Sequence, residues 1–300
     1  MFLQQLINGI TLGSVYALIA LGYSMVYGIL ELINFAHGEI YMLGAYLGII
    51  FFAFFTAIGL TAYNLPLALL LTVILSILFC SSYGFTIEKI AYKPLRNAPR
   101  LSPLISAIGV SIFLQNYVML TQGATDKIFP HLFGAAGFEF LSVRMTFLQL
   151  SIILTSLFLM MILRFFVRKT RMGTAMRAVA QDKTMAALLG INIDTVISVT
   201  FIIGSGLAAV AGLMVAMYYG LVNYFIGYIA GIKAFTAAVL GGIGSIRGAM
   251  VGGIILGLVE SLGGSYISGE FKDAYAFIIL IVILLIKPGG IFGRADLEKV

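Results

Sequence analysis

Five polar residues in otherwise apolar parts of the sequence are of types that acid–base chemistry or ligand binding requires. The stretch "LINFAHGEIY" contains Asn34, His37 and Glu39, and the stretch "SIFLQNYVML" contains Gln115 and Asn116. A histidine exchanges protons near neutral pH, and a carboxylate takes up a proton or binds an ammonium group. A histidine and a glutamate two residues apart therefore suggest catalysis, proton transfer or contact with a polar solute.

No further group in the sequence completes a catalytic site. There is no HExxH or GxSxG motif, and His131 is the only other histidine. The glycine-rich stretch "LGGIGSIRGAMVGG" lacks GxxxxGK[ST], and Arg247 stands at the third glycine position of GxGxxG. The lone Cys80 is expected in the core and excludes a disulfide within one chain. We therefore expect no enzyme activity, cofactor or metal in this chain, and any energy source coupled to it must come from protons, ions or another subunit that binds nucleotide.

The composition indicates the class of protein that positions these residues. Hydrophobic residues make up 61% of the 300 residues and charged residues 10%, against about 25% charged in soluble proteins. Runs of about 20 apolar residues, each able to cross a hydrocarbon layer of roughly 30 Å as a helix, recur along the chain. The sequence predicts an all-α, polytopic membrane helical bundle, a single domain over residues 1–300. Its eight or nine spans lie near 6–30, 40–58, 64–87, 102–121, 146–167, 195–217, 229–246, 248–267 and 273–291.

One part of this bundle is expected to be irregular. Lys233 and Arg247 interrupt short glycine-rich segments, so the region 229–247 is predicted to be broken or re-entrant. Elsewhere, small residues four apart predict close helix packing. They form three sets: Gly9, Gly13 and Ala17; Gly204, Ala208, Gly212 and Ala216; Gly253, Gly257 and Ser261.

The charge distribution predicts the orientation in the membrane. The net charge is +6, and ten of the eighteen lysines and arginines lie in two loops: Lys89, Lys93, Arg96, Arg100, Arg164, Arg168, Lys169, Arg171, Arg177 and Lys183. By the positive-inside rule these loops are cytoplasmic, whereas the charge-balanced loop 122–145, with a solvated His131, lies outside. An outside N-terminus and an inside tail, "GRADLEKV", require an odd number of spans and favour nine.

The start "MFLQQLINGI" has no basic region or cleavage site, so we expect the first helix to be retained. Because the basic residues follow topology, we expect no nucleic-acid partner.

The second basic loop has a helical pattern of its own. In "RMGTAMRAVAQDKTMAALLGINIDTV", Thr174 is a candidate N-cap and Gly190 a stop signal. One face of the predicted helix carries Ala175, Val179, Ala186 and Leu189, and the other carries Arg177, Gln181 and Thr184. This stripe of small apolar residues favours packing into a groove on a cytoplasmic partner. The alternative is an interfacial helix on the lipid headgroups, which Asp182 on the stripe disfavours.

Four long motifs identify a family resemblance over essentially the whole chain. They are "GITLGSVYALIALGYSMVYGILELINFAHGEIYMLGAY", "LISAIGVSIFLQNYV", "RMGTAMRAVAQDKTMAALLGIN" and "GIKAFTAAVLGGIGSIRGAMVGG". In this order they resemble the LivH-type permeases of bacterial branched-chain amino acid ABC importers. The family pattern "GGIGSIPGA" has proline where this chain has Arg247, a departure whose role the sequence does not explain.

The resemblance implies a set of partners. These are a second, homologous permease, two cytoplasmic ATPases that use ATP and Mg²⁺, and an extracytoplasmic solute-binding protein, all at the bacterial cytoplasmic (inner) membrane. It also implies that residues 171–192 form the segment that couples to an ATPase. Candidate coupling residues are Arg177, Ala178, Asp182, Ala186 and Gly190. The solute is expected to be a branched-chain amino acid, but relatives that carry urea or short amides have a similar pattern.

Two questions remain open from the residues alone. The first concerns the five polar residues, which are Asn34, His37, Glu39, Gln115 and Asn116. Their side chains either form hydrogen bonds between adjacent helices, each worth about 1 kcal/mol, or line the translocation path or its gate. The competing function is a proton- or sodium-coupled carrier that relays ions through intramembrane carboxylates. Its candidate relay residues are Glu31, Glu39 and Glu260.

Overall fold

The computed structural model describes residues 1–96, 98–99, 101–130, 132, 136–140 and 143–293. His131 and residues 294–300 of the tail, for which the sequence predicted solvent exposure and a cytoplasmic location, lie outside the described residues, as does Arg100 of the first basic loop.

The described residues form a helical bundle, which confirms the predicted fold class. The helices are α1 (Phe2–Leu30), α2 (His37–Ala57), α3 (Leu60–Tyr63), α4 (Leu65–Ile87), α5 (Leu101–Gln122), α6 (Phe147–Lys169), α7 (Arg171–Gln181), α8 (Lys183–Leu188), α9 (Ile193–Tyr219), α10 (Ile226–Gly241), α11 (Ile246–Tyr266) and α12 (Lys272–Ile286). A π-helical turn, Glu88–Tyr92, and a 3₁₀ turn, Lys93–Leu95, extend α4. Short strands form two antiparallel pairs, β1 (Lys127–Ile128) with β4 (Leu221–Val222) and β2 (Gly137–Phe140) with β3 (Val143–Thr146).

The helices account for the predicted spans. Among the described residues, seven helical segments are long and apolar enough to cross a membrane: α1, α2, α4 with its extension, α5, α6, α9 and α11. The shorter α10 and α12 coincide with the two remaining apolar runs, so the bundle is consistent with eight or nine spans. The prediction that residues 229–247 are broken at Lys233 is wrong, because Lys233 lies inside the continuous helix α10 and pairs there with Glu260. The chain turns only between α10 and α11, where Gly242 has φ +103° and Ser245 caps α11.

Contacts at the two ends of the bundle match the predicted sidedness. At one end the Gln4 amide donates to the carbonyl of Arg144 (2.8 Å), and β1 pairs with β4. At the other end the backbone N–H of Phe292 donates to the carbonyl of Gly241 (2.9 Å). The segments predicted to lie outside therefore meet at one end, and the segments predicted to lie inside meet at the other.

The centre of the bundle is built on close backbone contacts, which confirms the packing role of the small residues. A Cβ added to Gly13 would lie 2.7 Å from Cα of Ile254 in α11, and one added to Gly253 would lie 2.5 Å from Cα of Ala17. Cα of Ala209 in α9 would likewise lie 2.5 Å from a Cβ added to Gly44. Because dispersion contacts rather than water exclusion hold helices together in lipid, this close approach positions α1, α2, α9 and α11.

Candidate functional site

The stretch "LINFAHGEIY" forms a break between α1 and α2. Helix α1 ends at Leu30, and Glu31 adopts φ 60°, the one positive φ among the described non-glycine residues. The chain then turns back into the bundle, and the His37 ring fills the space beside Gly22. Gly22 lies eight residues before the end of α1, about 12 Å along the helix axis, so α2 starts well inside the bundle.

Asn34 and His37 are buried at this break. The Asn34 side chain is 2% exposed; its Oδ1 accepts a hydrogen bond from the Tyr92 hydroxyl (2.7 Å), whereas its Nδ2 has no partner among the described residues. The His37 ring stands edge-on to Tyr23, with ring centroids 4.9 Å apart. The carbonyl of Ile19 lies near the ring, but His37 Nε2 makes no hydrogen bond of normal geometry. The break therefore joins helices but leaves polar atoms unsatisfied.

Glu39 connects the break to α5. Its side chain is 1% exposed, Oε1 accepts a hydrogen bond from Ser111 Oγ (3.0 Å), and Oε2 has no partner among the described residues. Glu39 lies in the first turn of α2, where the helix N-terminus carries partial positive charge. Gly227 of α10 lies directly against this carboxylate. Three helices thus meet at one buried acidic group.

The other two predicted site residues, Gln115 and Asn116, make no hydrogen bond to the buried residues of the break among the described residues. Gln115 is half-buried, and its Nε2 has no partner within the described chain. Asn116 lies on the exposed face of α5, where its Nδ2 donates to the carbonyl of Ile112 one turn earlier (2.8 Å). Asn116 therefore does not join the buried polar residues, because neighbouring positions on a helix point about 100° apart, and its place in the translocation path stays a prediction.

The structure adds residues that the sequence analysis did not single out. Tyr23, Tyr92 and Ser111 contact the three residues of the break from α1, the π-helical turn and α5. Ser111 lies four residues before Gln115, a spacing that places both on one face of α5. That spacing was the available signal for Ser111. Nothing local in the sequence indicated Tyr92, which lies in a predicted basic loop.

The segment predicted to be cytoplasmic consists of two helices, so the prediction of one helix from Thr174 to Gly190 is wrong. Thr170, not Thr174, is the N-cap, and its Oγ1 accepts a hydrogen bond from the N–H of Gly173 (3.0 Å). Asp182 ends α7 and caps α8, since its Oδ1 accepts a hydrogen bond from the N–H of Met185 (2.9 Å). Gly190, with φ +80°, follows the end of α8 as predicted.

Most of the apolar stripe of this segment faces the bundle and only Leu189 is exposed, which corrects the expectation that the whole stripe docks into a partner. Val179 and Ala186 are each 1% exposed and Ala178 is half-buried, because α7 and α8 pack on α1, α6 and α9. Asp182 and Gly190 are exposed between and after the two helices. A stripe of small side chains suits close packing against any surface, and the sequence alone does not say which.

A different set of residues is available to a partner. Arg177 is exposed, but its guanidinium donates to the carbonyls of Val167 (2.9 Å) and Arg168 (3.1 Å) at the end of α6. The largest apolar exposure on α8 and its C-terminal turn comes from three residues, which we call the α8 apolar face: Met185 (60% exposed), Leu188 (78%) and Leu189 (79%).

The first basic loop is anchored beside this segment. Glu88, which is fully buried, forms an ion pair with Arg96 and accepts a hydrogen bond from Ser198 Oγ (2.8 Å). Arg96 also pairs with Asp194, as does Lys93 (2.6 Å). These ion pairs and the hydrogen bond hold the end of α4 against the start of α9, at the end of the bundle that the sequence predicts to be cytoplasmic.

Comparison with known proteins adds evidence that covers the whole chain. Residues 5–286 match the family model described as branched-chain amino acid transport system / permease component. The high-affinity branched-chain amino acid transport system permease protein LivH of Salmonella typhimurium and that of Escherichia coli are each 52% identical over 303 residues, covering 100% of this chain and 98% of each relative. BraD of Pseudomonas aeruginosa, with the same description, is 49% identical over 305 residues, covering 100% of this chain and 98% of BraD. No solved structure matches the chain.

Proposed function

Since the chain belongs to the family of branched-chain amino acid transport system permeases, we propose that it is the membrane-spanning subunit of an ATP-driven importer for leucine, isoleucine and valine. The observation that carries this proposal is 52% identity along the full length of permeases named for that transport. The chain is a multi-pass membrane protein and a transport subunit rather than an enzyme. We place it in the bacterial cytoplasmic (inner) membrane.

The proposal includes the partners that the resemblance implies. A second, homologous permease completes the membrane unit, two cytoplasmic ATPases bind ATP and Mg²⁺, and an extracytoplasmic protein delivers the solute. No cofactor is assigned to this chain. Urea and short amides are not favoured as solutes, because the relatives that match along the full length are named for branched-chain amino acids.

The ion-coupled carrier is also not favoured, because its three candidate carboxylates lie in unlike environments. Glu31 is exposed at the end of α1, Glu39 is hydrogen-bonded to Ser111, and Glu260 forms a 2.6 Å ion pair with Lys233. A proton or cation relay requires groups that release and accept charge in turn, whereas the carboxylate of Glu260 is already neutralised by a buried lysine.

We assign the coupling role to residues 171–192 and the gating role to the break between α1 and α2. One contact joins the two: the Lys183 ammonium, at the start of α8, donates to the carbonyl of Leu30 at the end of α1 (3.4 Å). Movement of α7 and α8 by an ATPase would reach the break through this contact. The unsatisfied polar atoms of Asn34, His37 and Glu39 support a second arrangement of the break in which they find partners, since such atoms are costly within a membrane. We also propose that Gln115, on α5, lines the translocation path.

The class of transporter is tested by its energy source. In membrane vesicles that contain the chain with its proposed partners, we expect leucine uptake to require both ATP and the solute-binding protein. Uptake should persist when ionophores collapse the proton and sodium gradients, because the free energy comes from ATP. Uptake that stops with the ionophores and continues without ATP would instead identify an ion-coupled carrier, and competition by urea but not by valine would assign the other solute class.

The gate is tested at Glu39. The isosteric Glu39→Gln variant should assemble normally but lower ATP-driven leucine uptake by about tenfold or more, since a charge-assisted contact contributes roughly 1.5–3 kcal/mol when the break rearranges. The matched control is Ser111→Ala, which removes the hydrogen bond at Oε1 but leaves the carboxylate, and it should retain most of the uptake. The amount of folded permease is measured by size-exclusion chromatography. Full uptake in Glu39→Gln, or equal losses in both variants, would leave Glu39 only a structural role.

A further inference from the structure

A pocket opens on the exposed side of α10 and α12, away from the break between α1 and α2. Its volume is about 130 Å³. The lining residues are Tyr228, Ile229, Ile232, Lys233, Asp273 and Phe277. Four of the six have large apolar or aromatic side chains, and the other two carry opposite charges. A small ligand site of this composition suits a molecule that is apolar at one end and charged at the other.

The cation of this pocket is deeply buried. The Lys233 side chain is 8% exposed, and its ammonium lies 2.6 Å from Glu260 Oε1 and 2.7 Å from Asp273 Oδ1. Glu260, itself 7% exposed, also accepts a hydrogen bond from the Tyr16 hydroxyl through Oε2 (2.8 Å). Both oxygens of Glu260 are therefore used inside the bundle, and this carboxylate alone balances the charge of Lys233.

Asp273 adds a second negative charge beside Lys233, whose positive charge Glu260 already balances. The Asp273 side chain is 56% exposed, and among the described residues its only ion pair or hydrogen bond is the one from Lys233 to Oδ1. The three groups together carry one positive and two negative charges. Because the Asp273 side chain is more than half exposed and Lys233 is already balanced by Glu260, the Asp273 carboxylate is available to pair with a second cation. Lys233 supplies three N–H donors, of which two are used by the carboxylates.

We propose that this pocket binds the zwitterionic head and apolar side chain of the transported amino acid. The α-ammonium pairs with the Asp273 carboxylate, and the α-carboxylate accepts the remaining N–H of Lys233. The branched side chain lies against Ile229, Ile232 and Phe277. The inference rests on the proposed function for the choice of solute, and it places a solute contact on α10 and α12, apart from the gate.

Thiol labelling tests the site directly. In membranes from cells that produce the chain with its partner subunits, Ile229→Cys should react with a small water-soluble thiol reagent, because Ile229 lines the pocket and is 38% exposed. The native Cys80 is fully buried and gives little background. Leucine should slow the reaction, whereas leucinamide, which lacks the carboxylate, and 4-methylpentanoate, which lacks the ammonium, should not. The control is Tyr63→Cys at an 88% exposed position of α3, outside the pocket lining, whose labelling leucine should leave unchanged.

The charge requirement is tested in the same assay. Asp273→Asn, added to Ile229→Cys, should raise the leucine concentration needed for half-protection by about tenfold or more, because it removes a charge-assisted contact and leaves the Lys233–Glu260 pair in place. Asp126→Asn, at an exposed carboxylate of the loop after α5, should leave it unchanged. If Asp273→Asn prevents folding, Ile232→Trp, which fills the pocket, should abolish protection.

Three outcomes would overturn the site. The first is the absence of labelling at Ile229→Cys, which would mean that lipid or another subunit covers the pocket. The second is labelling that leucine does not slow, and the third is protection by leucinamide equal to that by leucine. Each is distinguishable from failure of the proposed function, because ATP-driven leucine uptake is measured on the same membranes. Normal uptake with an unprotected pocket rejects only the site.

Discussion

Gly257→Val is expected to prevent the permease from accumulating as a folded protein. A Cβ at Gly257 would overlap the backbone of Gly13, in the closest part of the contact between α1 and α11. Backbone atoms cannot rotate away as a side chain can, so the two helices must separate and lose the contacts around them. Overpacking of this kind costs about 1–3 kcal/mol or more, a large share of a total stability of roughly 5–15 kcal/mol. The measurement is the yield of monodisperse protein in detergent and its thermal stability.

The matched control for this variant is Gly109→Val. A Cβ at Gly109, in α5, meets no atom within 4 Å, so the same change should leave the yield near that of the unmodified protein. Gly257→Ala should already lower the yield, because the overlap involves the first side-chain atom. Equal yields of the Gly257 and Gly109 variants would show that the α1–α11 contact is not required for folding.

The second large effect is expected at the α8 apolar face. A double change, Leu188→Asp with Leu189→Asp, should leave the permease folded, because both side chains are nearly four-fifths exposed, but reduce ATP-driven uptake to background. Burying each leucine against an ATPase would contribute roughly 1.5–3 kcal/mol, so their loss should weaken docking by about a hundredfold or more. Co-purification of the ATPases with the permease measures docking, and leucine uptake in vesicles measures coupling.

The conservative double variant, Leu188→Met with Leu189→Met, keeps the apolar area and should retain docking and uptake. Ala186→Asp tests a different property of the same helix: because Ala186 is buried against the bundle, this change should lower the yield of folded permease. Unchanged co-purification in the double aspartate variant would mean that the ATPase docks elsewhere, and the coupling role assigned to residues 171–192 would then be rejected.

Local sequence properties were sufficient to predict the bundle and which segments lie at the same end of it. The length of each apolar run is set by the thickness of the hydrocarbon layer, and the positions of the lysines and arginines follow the positive-inside rule. Small residues four apart identified the faces on which α1, α9 and α11 approach their neighbours. Run length, charge position and the spacing of small residues are properties of short segments, so they can be recognised in the sequence without knowing which helices are adjacent.

The predicted site was only partly correct because it depends on contacts between distant segments. Asn34, His37 and Glu39 were found from their polarity within an apolar stretch, but the partners that hold them lie 14 to 72 residues away and include Tyr23, Tyr92 and Ser111. Asn116 was grouped with them from its polarity alone, which does not give the direction of a side chain, and it lies on the exposed face of α5. The stripe on α7 and α8 was recognised, but Val179 and Ala186 pack against the permease itself and only Leu189 is exposed.

The sequence by itself determined the all-α membrane class, the number of spans to within one, the grouping of segments at the two ends of the bundle and the transporter family, since all four follow from composition, run length, charge position and long motifs. Only the tertiary structure showed that α2 begins inside the bundle, that Lys233 lies between Glu260 and Asp273, and that Leu188 and Leu189 are exposed. The physical reason is that an apolar helix in lipid can pack any of its faces inward. The choice among faces is made by shape and by charge pairing between residues 27 to 40 positions apart, which no local pattern encodes.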